Sequence, residues 1–304
     1  MKKTILVLMG GISREKEISI LSGRECVKAL RKKKYKVKIL DPKGNFINEI
    51  RKIKPKIVFN ALHGRFGEDG YIQSILESEK IKYTHSGVLA SSIAMDKEVS
   101  KKIFINKKIN TPKFFVYNYN NSLNIHTLIK KSKINFPIVI KPINEGSSID
   151  VYICAKKNLN KNLKKLKKYS KILVEKYIPG REIQVAVMNN KALGAIELKP
   201  KRKFYDYYAK YSSKAKTKHI MPAPMESKKY KEVLRIARKA HLSLGCKGIT
   251  RSDFRYYHNK FFLLEINTQP GMTNLSLVPE IAAYKGIKFE NLVGWIVKDA
   301  GYDR

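Results

Sequence analysis

The stretches ITRSDF at residues 249–254 and KFFLLEINTQPGMT at residues 260–273 decide the interpretation of this chain. The apolar start of the second stretch predicts a β-strand, and side-chain alternation then places Glu265 and Asn267 on one face of it. Asp253 ends a similar short segment, which we expect to be the neighbouring strand. Two carboxylates and an amide are oxygen ligands of the kind that Mg²⁺ takes together with substrate phosphates. The pattern predicts either a Mg²⁺ site for a nucleotide triphosphate or a polar strand end followed by a Pro-Gly turn.

Length and composition indicate a globular protein of two or three compact lobes. The 304 residues are 43% hydrophobic, which argues against a disordered chain. No apolar run approaches the ~20 residues of a membrane span, and residues 1–11 (MKKTILVLMGG) are typical of a first strand and its turn rather than of a signal peptide. The three cysteines are odd in number and widely spaced, as in a reducing compartment. We therefore expect a cytoplasmic protein without membrane association.

The net charge of +38 raises nucleic-acid binding as an alternative, because Lys and Arg neutralise phosphates. The basic residues are spread along the chain, and the densest run, residues 156–171, carries Leu159, Leu163 and Leu166 at helical spacing. That run predicts an amphipathic helix with a solvated basic face. Arg, which contacts bases and phosphates bidentately, contributes only 12 of the 63 basic residues. We therefore expect no specific nucleic-acid partner, although a positive field would attract an anionic substrate.

Strand and helix patterns alternate along the chain, which predicts an α/β architecture. We expect a small open parallel sheet in residues 1–94, a central lobe in residues 95–178 and a C-terminal lobe in residues 179–304. The last of these contains a Tyr- and Lys-rich stretch at residues 204–213 without periodicity. Loops of this length are usually functional.

A strand that ends in Lys141 leads into a small flexible loop, residues 145–148 (EGSS). An ammonium group beside a loop of exposed N–H groups suits a triphosphate. The spacing is not that of a Walker A motif, and a solvated Lys at a strand end remains an alternative in so Lys-rich a chain. A second strand ends near Glu175 and is followed by Glu182, where exposed backbone could pair with adenine and a carboxylate with ribose hydroxyls.

In this order, the pieces resemble the ATP-grasp enzymes, in which two α+β lobes hold ATP between them. Over residues 10–279, the chain resembles more narrowly the D-alanine–D-alanine ligase family. The resemblance implies an α/β fold of ATP-grasp lobes behind a small N-terminal parallel-sheet domain. Of its eight motifs, the first, second, sixth and last are specific to the D-alanine ligases. The motifs are GGISREKEISILSG (10–23), ALHGRFGEDG (61–70), SGVLASSIAMDK (86–97), VIKPINEGSS (139–148), VEKYIPGRE (174–182), FYDYYAKY (204–211), GCKGITRSDF (245–254) and LLEINTQPGMTNLSLVP (263–279).

The resemblance implies ATP-dependent ligation of two D-alanines for peptidoglycan precursors, by a homodimer. ATP would phosphorylate the carboxylate of the first D-alanine, and the amine of the second would displace phosphate from the acyl phosphate. It implies ATP as co-substrate and two Mg²⁺ ions, with Mn²⁺ as a substitute. The implied residues are Lys97, Lys141 and Lys210 for the phosphates, then Glu175, Lys176, Tyr177, Ile178 and Glu182 for adenine and ribose, and finally Asp253, Glu265 and Asn267 for the metal.

On the substrate side, the resemblance implies that Glu15 holds the ammonium of the first D-alanine and that His63 lines the same subsite. Ser147 and Tyr211 would join Glu15 in a hydrogen-bonded triad, with Tyr211 on a lid formed by residues 204–213 that excludes water. The residues alone leave plainer alternatives open. Glu15 would also be favoured as an acid in the first turn of a helix, and His63 and Tyr211 could be an ordinary packed His and a surface Tyr.

The last group of implied residues serves the bond-forming step. Arg251 and the N–H of Gly271 would face the developing oxyanion. Ser276 and Leu277 would bind the carboxylate of the second substrate through a hydroxyl and a backbone N–H. The neighbourhood of this second subsite varies among similar enzymes, so a D-serine or D-lactate substrate is an alternative there. Tyr211 favours an amine as the second substrate.

Overall fold

The computed structural model describes residues 4–120, 123–200, 217–273 and 275–304. The chain begins with a parallel sheet of order β2-β1-β3-β4. A helix lies between each strand and the next, the βαβ pattern that parallel pairing requires. The elements are β1 (Thr4–Leu8), α1 (Lys16–Lys32), β2 (Lys36–Leu40), α2 (Phe46–Ile53), β3 (Ile57–Asn60), α3 (Tyr71–Ser78) and β4 (Lys82–Tyr83).

Two consecutive helices, α4 (Val88–Met95) and α5 (Lys97–Asn106), lead into a second sheet of order β5-β8-β6-β7. All of its neighbouring strands pair antiparallel. The predicted basic helix follows a 3₁₀ turn at Lys156–Asn158, and its three leucines are buried as expected. The elements are β5 (Phe114–Asn118), α6 (Ile125–Ser132), β6 (Ile138–Pro142), β7 (Tyr152–Cys154), α7 (Leu159–Leu166) and β8 (Lys171–Lys176).

A third sheet, antiparallel and of order β11-β10-β9-β12-β13, carries the rest of the chain. Its last two strands are neighbours, as predicted, and form a hairpin. The expectation that Asp253 ends its strand is wrong, because β12 continues to Tyr257 and so places Asp253 in its middle. The elements are β9 (Arg181–Met188), β10 (Lys191–Lys199), β11 (Lys218–Ile220), α8 (Ser227–Ser243), β12 (Ile249–Tyr257), β13 (Lys260–Asn267), α9 (Leu277–Tyr284) and α10 (Phe289–Asp299). The predicted loop at residues 204–213 lies outside the described residues.

The first and third sheets share one hydrophobic core. Ile5 and Phe59 of the first sheet lie in the same cluster as Ile196 and Leu292 of the C-terminal part. The second sheet has a separate core with α6 and α7, built around residues such as Ile140. The boundaries expected at residues 94 and 178 stay predictions. No helix in the described part of the chain is long and apolar enough to cross a membrane.

Candidate active site

The ends of the three sheets face one cleft, which divides into two connected pockets. The first pocket, called here the substrate pocket, is lined by Glu15, His63, Ser147, Arg251 and Gly271, among others. The second, called here the nucleotide pocket, is lined by Lys141, residues 175–178, Glu182 and Asp253, among others. Three residues line both pockets, so the pockets are adjacent. These shared residues are Lys97, Glu145 and Glu265.

In the nucleotide pocket, Glu175 at the end of β8 lies between two ammonium groups. Its Oε1 accepts a hydrogen bond of 2.6 Å from Lys141 Nζ, and its Oε2 lies 3.0 Å from Nζ of Lys101. The second contact is an ion pair without hydrogen-bond geometry. Burial alone would raise the pKa of Glu175, but the two lysines outweigh it and hold that pKa below its ordinary value. Glu175 is therefore ionised and fixed in place.

The far wall of the nucleotide pocket comes from the start of β9 and from β12. Glu182 and Arg255 are cross-strand neighbours, and Nη2 of Arg255 lies 3.2 Å from Oε2 of Glu182. Val139, Ile178 and Leu264 add apolar surface. Apolar walls with a few fixed polar groups are typical of sites for a flat heterocycle joined to a polar sugar.

The three predicted metal ligands lie together at the seam of the β12–β13 hairpin. Asp253 is opposite Glu265 and Arg251 is opposite Asn267, and a bulge follows Asp253. Directly opposite side chains of an antiparallel pair have Cβ atoms about 4.5–5.5 Å apart, so both carboxylates can reach one cation. A bulge beside a site commonly re-aims a side chain. The donor set fits Mg²⁺, which prefers oxygen ligands.

Basic side chains already lie against these carboxylates. Arg251 donates two hydrogen bonds to Asp253, of 2.7 and 3.0 Å, and Lys97 Nζ lies 3.5 Å from Oε2 of Glu265. Asn267 Oδ1 accepts the N–H of Gln269 at 2.8 Å. Among the described residues, no group of three His, Cys, Asp or Glu is placed to hold a metal. An amide as the third ligand is consistent with that finding.

In the substrate pocket, Glu15 is buried at the start of α1 and contacts the hydroxyl of Ser147 from the central lobe. The chain approaches Glu15 closely at Gly146, where an added Cβ would lie 2.8 Å from Oε2. Ser147 itself adopts the left-handed region, with φ of +48°. The loop thus brings the hydroxyl of Ser147 from the central lobe against the carboxylate of Glu15 from the first lobe. These are two of the three residues of the predicted triad. Tyr211 and Lys210 lie outside the described residues.

His63 is buried and held at both ring nitrogens. Nδ1 pairs with Glu68 Oε1 at 2.9 Å, and Nε2 lies 3.1 Å from the hydroxyl of Ser22, which also accepts the N–H of Met272 at 3.2 Å. Glu68 lines the substrate pocket too. These contacts link the first lobe to the segment that carries Gly271.

Gly271 lines the substrate pocket, whereas Ser276 and Leu277 lie just behind it. An added Cβ on Gly271 would meet Ser276 Oγ at 2.9 Å, so no larger residue fits there without movement. Ser276 precedes α9, and its Oγ accepts the N–H of Thr273 at 2.9 Å. Leu277 has a buried side chain, which leaves its backbone as the polar group. The structure thus places this predicted second subsite next to Gly271.

The sequence analysis did not single out several residues that line the cleft or lie behind it, namely Ser22, Glu68, Lys101, Glu145 and Arg255. Lys101 had a usable signal, because residues four apart lie on one face of a helix and Lys97 was already a candidate. Glu68 and Glu145 lie within quoted motifs and were not singled out. Arg255 follows Asp253 by two residues on the same strand, so alternation places both on one face.

The family model described as D-ala D-ala ligase C-terminus matches residues 103–298. A D-alanine–D-alanine ligase from Pelagibacter ubique is 61% identical over 305 residues, covering 100% of both chains. The chain belongs to the D-alanine–D-alanine ligase family. Another relative, a D-alanine–D-alanine ligase from Wolbachia pipientis wMel, is 48% identical and covers 98% of this chain and 94% of its own.

Solved structures agree with membership of the D-alanine–D-alanine ligase family. A crystal structure of D-alanine–D-alanine ligase from Bacillus anthracis matches with a TM-score of 0.87 and 34% identity, covering 98% of this chain and 97% of that one. A structure of the Bacillus anthracis enzyme complexed with ATP matches at 0.85 and 30%, with the same coverage. The α/β fold with ATP-grasp lobes behind a small parallel sheet is thereby confirmed.

Proposed function

We propose that this chain joins two D-alanines into D-alanyl-D-alanine, with ATP converted to ADP and phosphate, for peptidoglycan precursors. The observation that carries the proposal is that the two pockets adjoin and share three lining residues. Glu15 with Ser147 lies at one end and Lys141 with Glu175 at the other, and Lys97 and Glu265 line both. A phosphoryl group bound between the two ends could reach the carboxylate of a D-alanine whose ammonium group is held by Glu15. Family membership supports the same activity.

On the nucleotide side, Lys97 and Lys141 would hold the α- and β-phosphates, and Glu182 the ribose hydroxyls. Adenine would lie against the apolar wall and pair with the backbone of residues 176–178. Glu175 would fix Lys141 while also bordering the adenine. Phosphoryl transfer needs mostly alignment and charge neutralisation from a protein, which this arrangement supplies.

Asp253, Glu265 and Asn267 would hold two Mg²⁺ ions, for which Mn²⁺ could substitute. When bound, these ions would neutralise charge on the transferring phosphoryl group. In the structure, Arg251 and Lys97 supply positive charge to Asp253 and Glu265, and bound Mg²⁺ would supply it in their place. Arg251, which already lines the substrate pocket, would then be released from Asp253.

On the substrate side, Glu15 would hold the ammonium of the first D-alanine and His63 would pack beside it. The first carboxylate takes the phosphoryl group from ATP, and the amine of the second D-alanine then attacks the acyl carbon. Arg251 and the N–H of Gly271 would stabilise the oxyanion before phosphate leaves. Ser276 and Leu277 would hold the second carboxylate by hydroxyl and N–H.

Two further roles stay predictions: Lys210 would approach the γ-phosphate, and Tyr211 would lie on the lid. A cytoplasmic location and a homodimer also belong to the proposal. Size-exclusion chromatography with light scattering tests the dimer. A monomer at micromolar concentration would contradict it.

The decisive experiment incubates the purified protein with D-alanine, ATP and MgCl₂ and measures dipeptide, ADP and phosphate. We expect the three products in equal amounts. Parallel reactions with added D-serine or D-lactate test the second subsite, and we expect D-alanyl-D-alanine to predominate. If no D-alanyl-D-alanine forms, the proposed function is wrong.

A further inference from the structure

Helix α5 carries two lysines one turn apart that have different surroundings. Lys97 lines both pockets, and its Nζ donates a hydrogen bond of 2.6 Å to the carbonyl oxygen of Glu145. Lys101 lines neither pocket, and its side chain is 0% exposed. A fully buried lysine is rare, and its desolvation is costly unless partners compensate for it. Lys101 therefore calls for a physical explanation.

The partners of Lys101 lead directly to the nucleotide pocket. Its Nζ donates a hydrogen bond of 2.7 Å to Thr111 Oγ1, lies 3.0 Å from Glu175 Oε2, and stands 5.7 Å from the ring centre of Phe114. The other oxygen of Glu175 contacts Lys141 at 2.6 Å. One carboxylate thus bridges a hidden lysine and a pocket lysine.

The charges of this buried triad do not cancel. Two ammonium groups and one carboxylate leave a net charge of +1, in a place with almost no access to water. Burial lowers the pKa of Lys101 to about 8, against the raising influence of Glu175, so the ammonium form still prevails at pH 7. Without Lys101, the pair of Glu175 and Lys141 would be neutral. The nucleotide pocket would keep Lys97 but lose the net positive charge that Lys141 otherwise contributes towards phosphate.

We propose that Lys101 is a positioning residue for nucleotide binding, which holds Glu175 and offsets its charge so that the charge of Lys141 acts on the phosphates. The inference rests on the proposed function, because it takes the phosphates of ATP as the target of Lys141. Lys101 touches no ligand itself. Lys101 acts through Glu175. It contacts one carboxylate oxygen of Glu175, which leaves the other oxygen for Lys141.

The test compares Lys101→Met with Lys102→Met. Lys102 is the next residue of α5, is exposed and pairs with Glu98 on the helix surface, so it is a matched control. Isothermal titration measures the Kd of a non-hydrolysable ATP analogue with Mg²⁺, and of adenosine. For Lys101→Met we expect the analogue to bind about tenfold or more weakly, as loss of one nearby charge at low dielectric implies. Adenosine affinity and the KM for D-alanine should stay unchanged, and Lys102→Met should match the wild type.

A second variant separates charge from packing. Lys101→Met combined with Glu175→Gln restores the net charge of +1, carried by Lys141 alone. If charge is the cause, the double variant binds the analogue more tightly than Lys101→Met does. If it binds no more tightly, or if Lys101→Met equals Lys102→Met, the inference is wrong. The double variant also decides the matter should the single variant fail to fold. Because Glu175 borders the adenine, the Kd for the analogue is divided by the Kd for adenosine, and this ratio then has to lie within a fewfold of the wild-type ratio.

The two proposals fail in different ways. A wild-type protein that forms no D-alanyl-D-alanine refutes the proposed function. A wild-type protein that does form it, beside a Lys101→Met variant with unchanged affinity for the analogue, refutes only the role of Lys101.

Discussion

At the scale of single residues, several carboxylates of the cleft have basic side chains as partners. Asp253 has Arg251, Glu265 has Lys97, and Glu175 has two lysines. An uncompensated buried charge costs several kcal/mol, so these pairs keep the site folded and ionised. Phosphates that enter the cleft would replace carboxylates as partners of the basic side chains, and cations would replace basic side chains as partners of the carboxylates.

The carboxylate of Glu15 gives the first prediction. Glu15→Gln keeps the size of the side chain and its contact with Ser147 but removes the charge that would hold an ammonium. We expect kcat/KM for D-alanine to fall by about a hundredfold, since a hydrogen bond between charged partners contributes about 1.5–3 kcal/mol. Glu17→Gln, on the exposed face of the same helix, is the control and should be unaffected. Equal activities of the two variants would show that Glu15 does not hold the ammonium group of the substrate.

Asp253 gives the second prediction, through metal dependence. We expect a chelator to reduce activity to background and added Mg²⁺ to restore it. In Asp253→Asn the Mg²⁺ concentration for half-maximal activity should rise at least about tenfold, because a neutral amide replaces one anionic ligand. The measurement is a Mg²⁺ titration at saturating substrates. An unchanged titration curve would contradict the metal assignment.

The site residues on the hairpin were predictable from local sequence patterns, whereas contacts between residues far apart in the chain were not. Asp253 and Glu265 follow from strand alternation, which acts over two residues. The partnership of Lys101 with Glu175 joins positions far apart in the chain, and the burial of Lys101 contradicts the usual exposure of lysine. No sequence pattern reports such a pair.

At the scale of elements, the loop from residue 144 to 150 connects the lobes. It has three residues in the left-handed region, Ser147, Ser148 and Asp150. Asp150 anchors the loop to its own lobe by contacts with Lys168 at 2.8 Å and the hydroxyl of Tyr169 at 2.7 Å. Burial would raise the pKa of Asp150, but these donors, together with Arg14 across the cleft, hold it well below its usual range.

The two ends of the contact between Arg14 and Asp150 should respond differently to mutation. Arg14 is 58% exposed, so Arg14→Gln should cost at most about 1 kcal/mol of stability. Asp150→Ala removes an acceptor shared by several donors and should cost about 1–3 kcal/mol. Urea denaturation measures both. If Arg14→Gln were the more destabilising change, the interpretation of Asp150 as the anchor would be wrong.

At the scale of the whole molecule, the shared core of the first and third sheets contrasts with the separate core of the second. Besides His63, two histidines outside the cleft are buried, namely His85 and His241, and burial is the main cause of their lowered pKa values. The pKa of His85 falls to about 3 and that of His241 to about 4. Both are therefore neutral in the folded protein at pH 7.

His241 gives a prediction for stability against pH. Between pH 6.5 and about 4, the unfolded chain binds a proton at this position that the folded protein does not bind. Stability therefore falls as the pH is lowered through that window, by about 1.4 kcal/mol per pH unit from this group. His241→Asn should flatten the slope, and the exposed His258→Asn should not. Denaturant midpoints at several pH values measure it, and equal slopes would contradict the prediction.

The alternation of strands and helices was predictable from the sequence, but several elements, such as α2, β5 and α6, were not. Alternating strand and helix patterns indicated the parallel sheet, and the periodicity of Leu159, Leu163 and Leu166 indicated α7. The merging of the first and third sheets around one core was not predictable. It depends on a single hydrophobic cluster that contains both Ile5 and Leu292, from opposite ends of the chain.

The separate core of the second sheet has a consequence for local opening. Because β5–β8 are stabilised largely within their own lobe, their amides should exchange with deuterium as one group, distinct from those of β9 and β12. A nucleotide bound by Lys141 on one side and Asp253 on the other would tie two such units together. Protection from exchange would then spread on binding to the whole of the second sheet, well beyond the residues that touch the ligand.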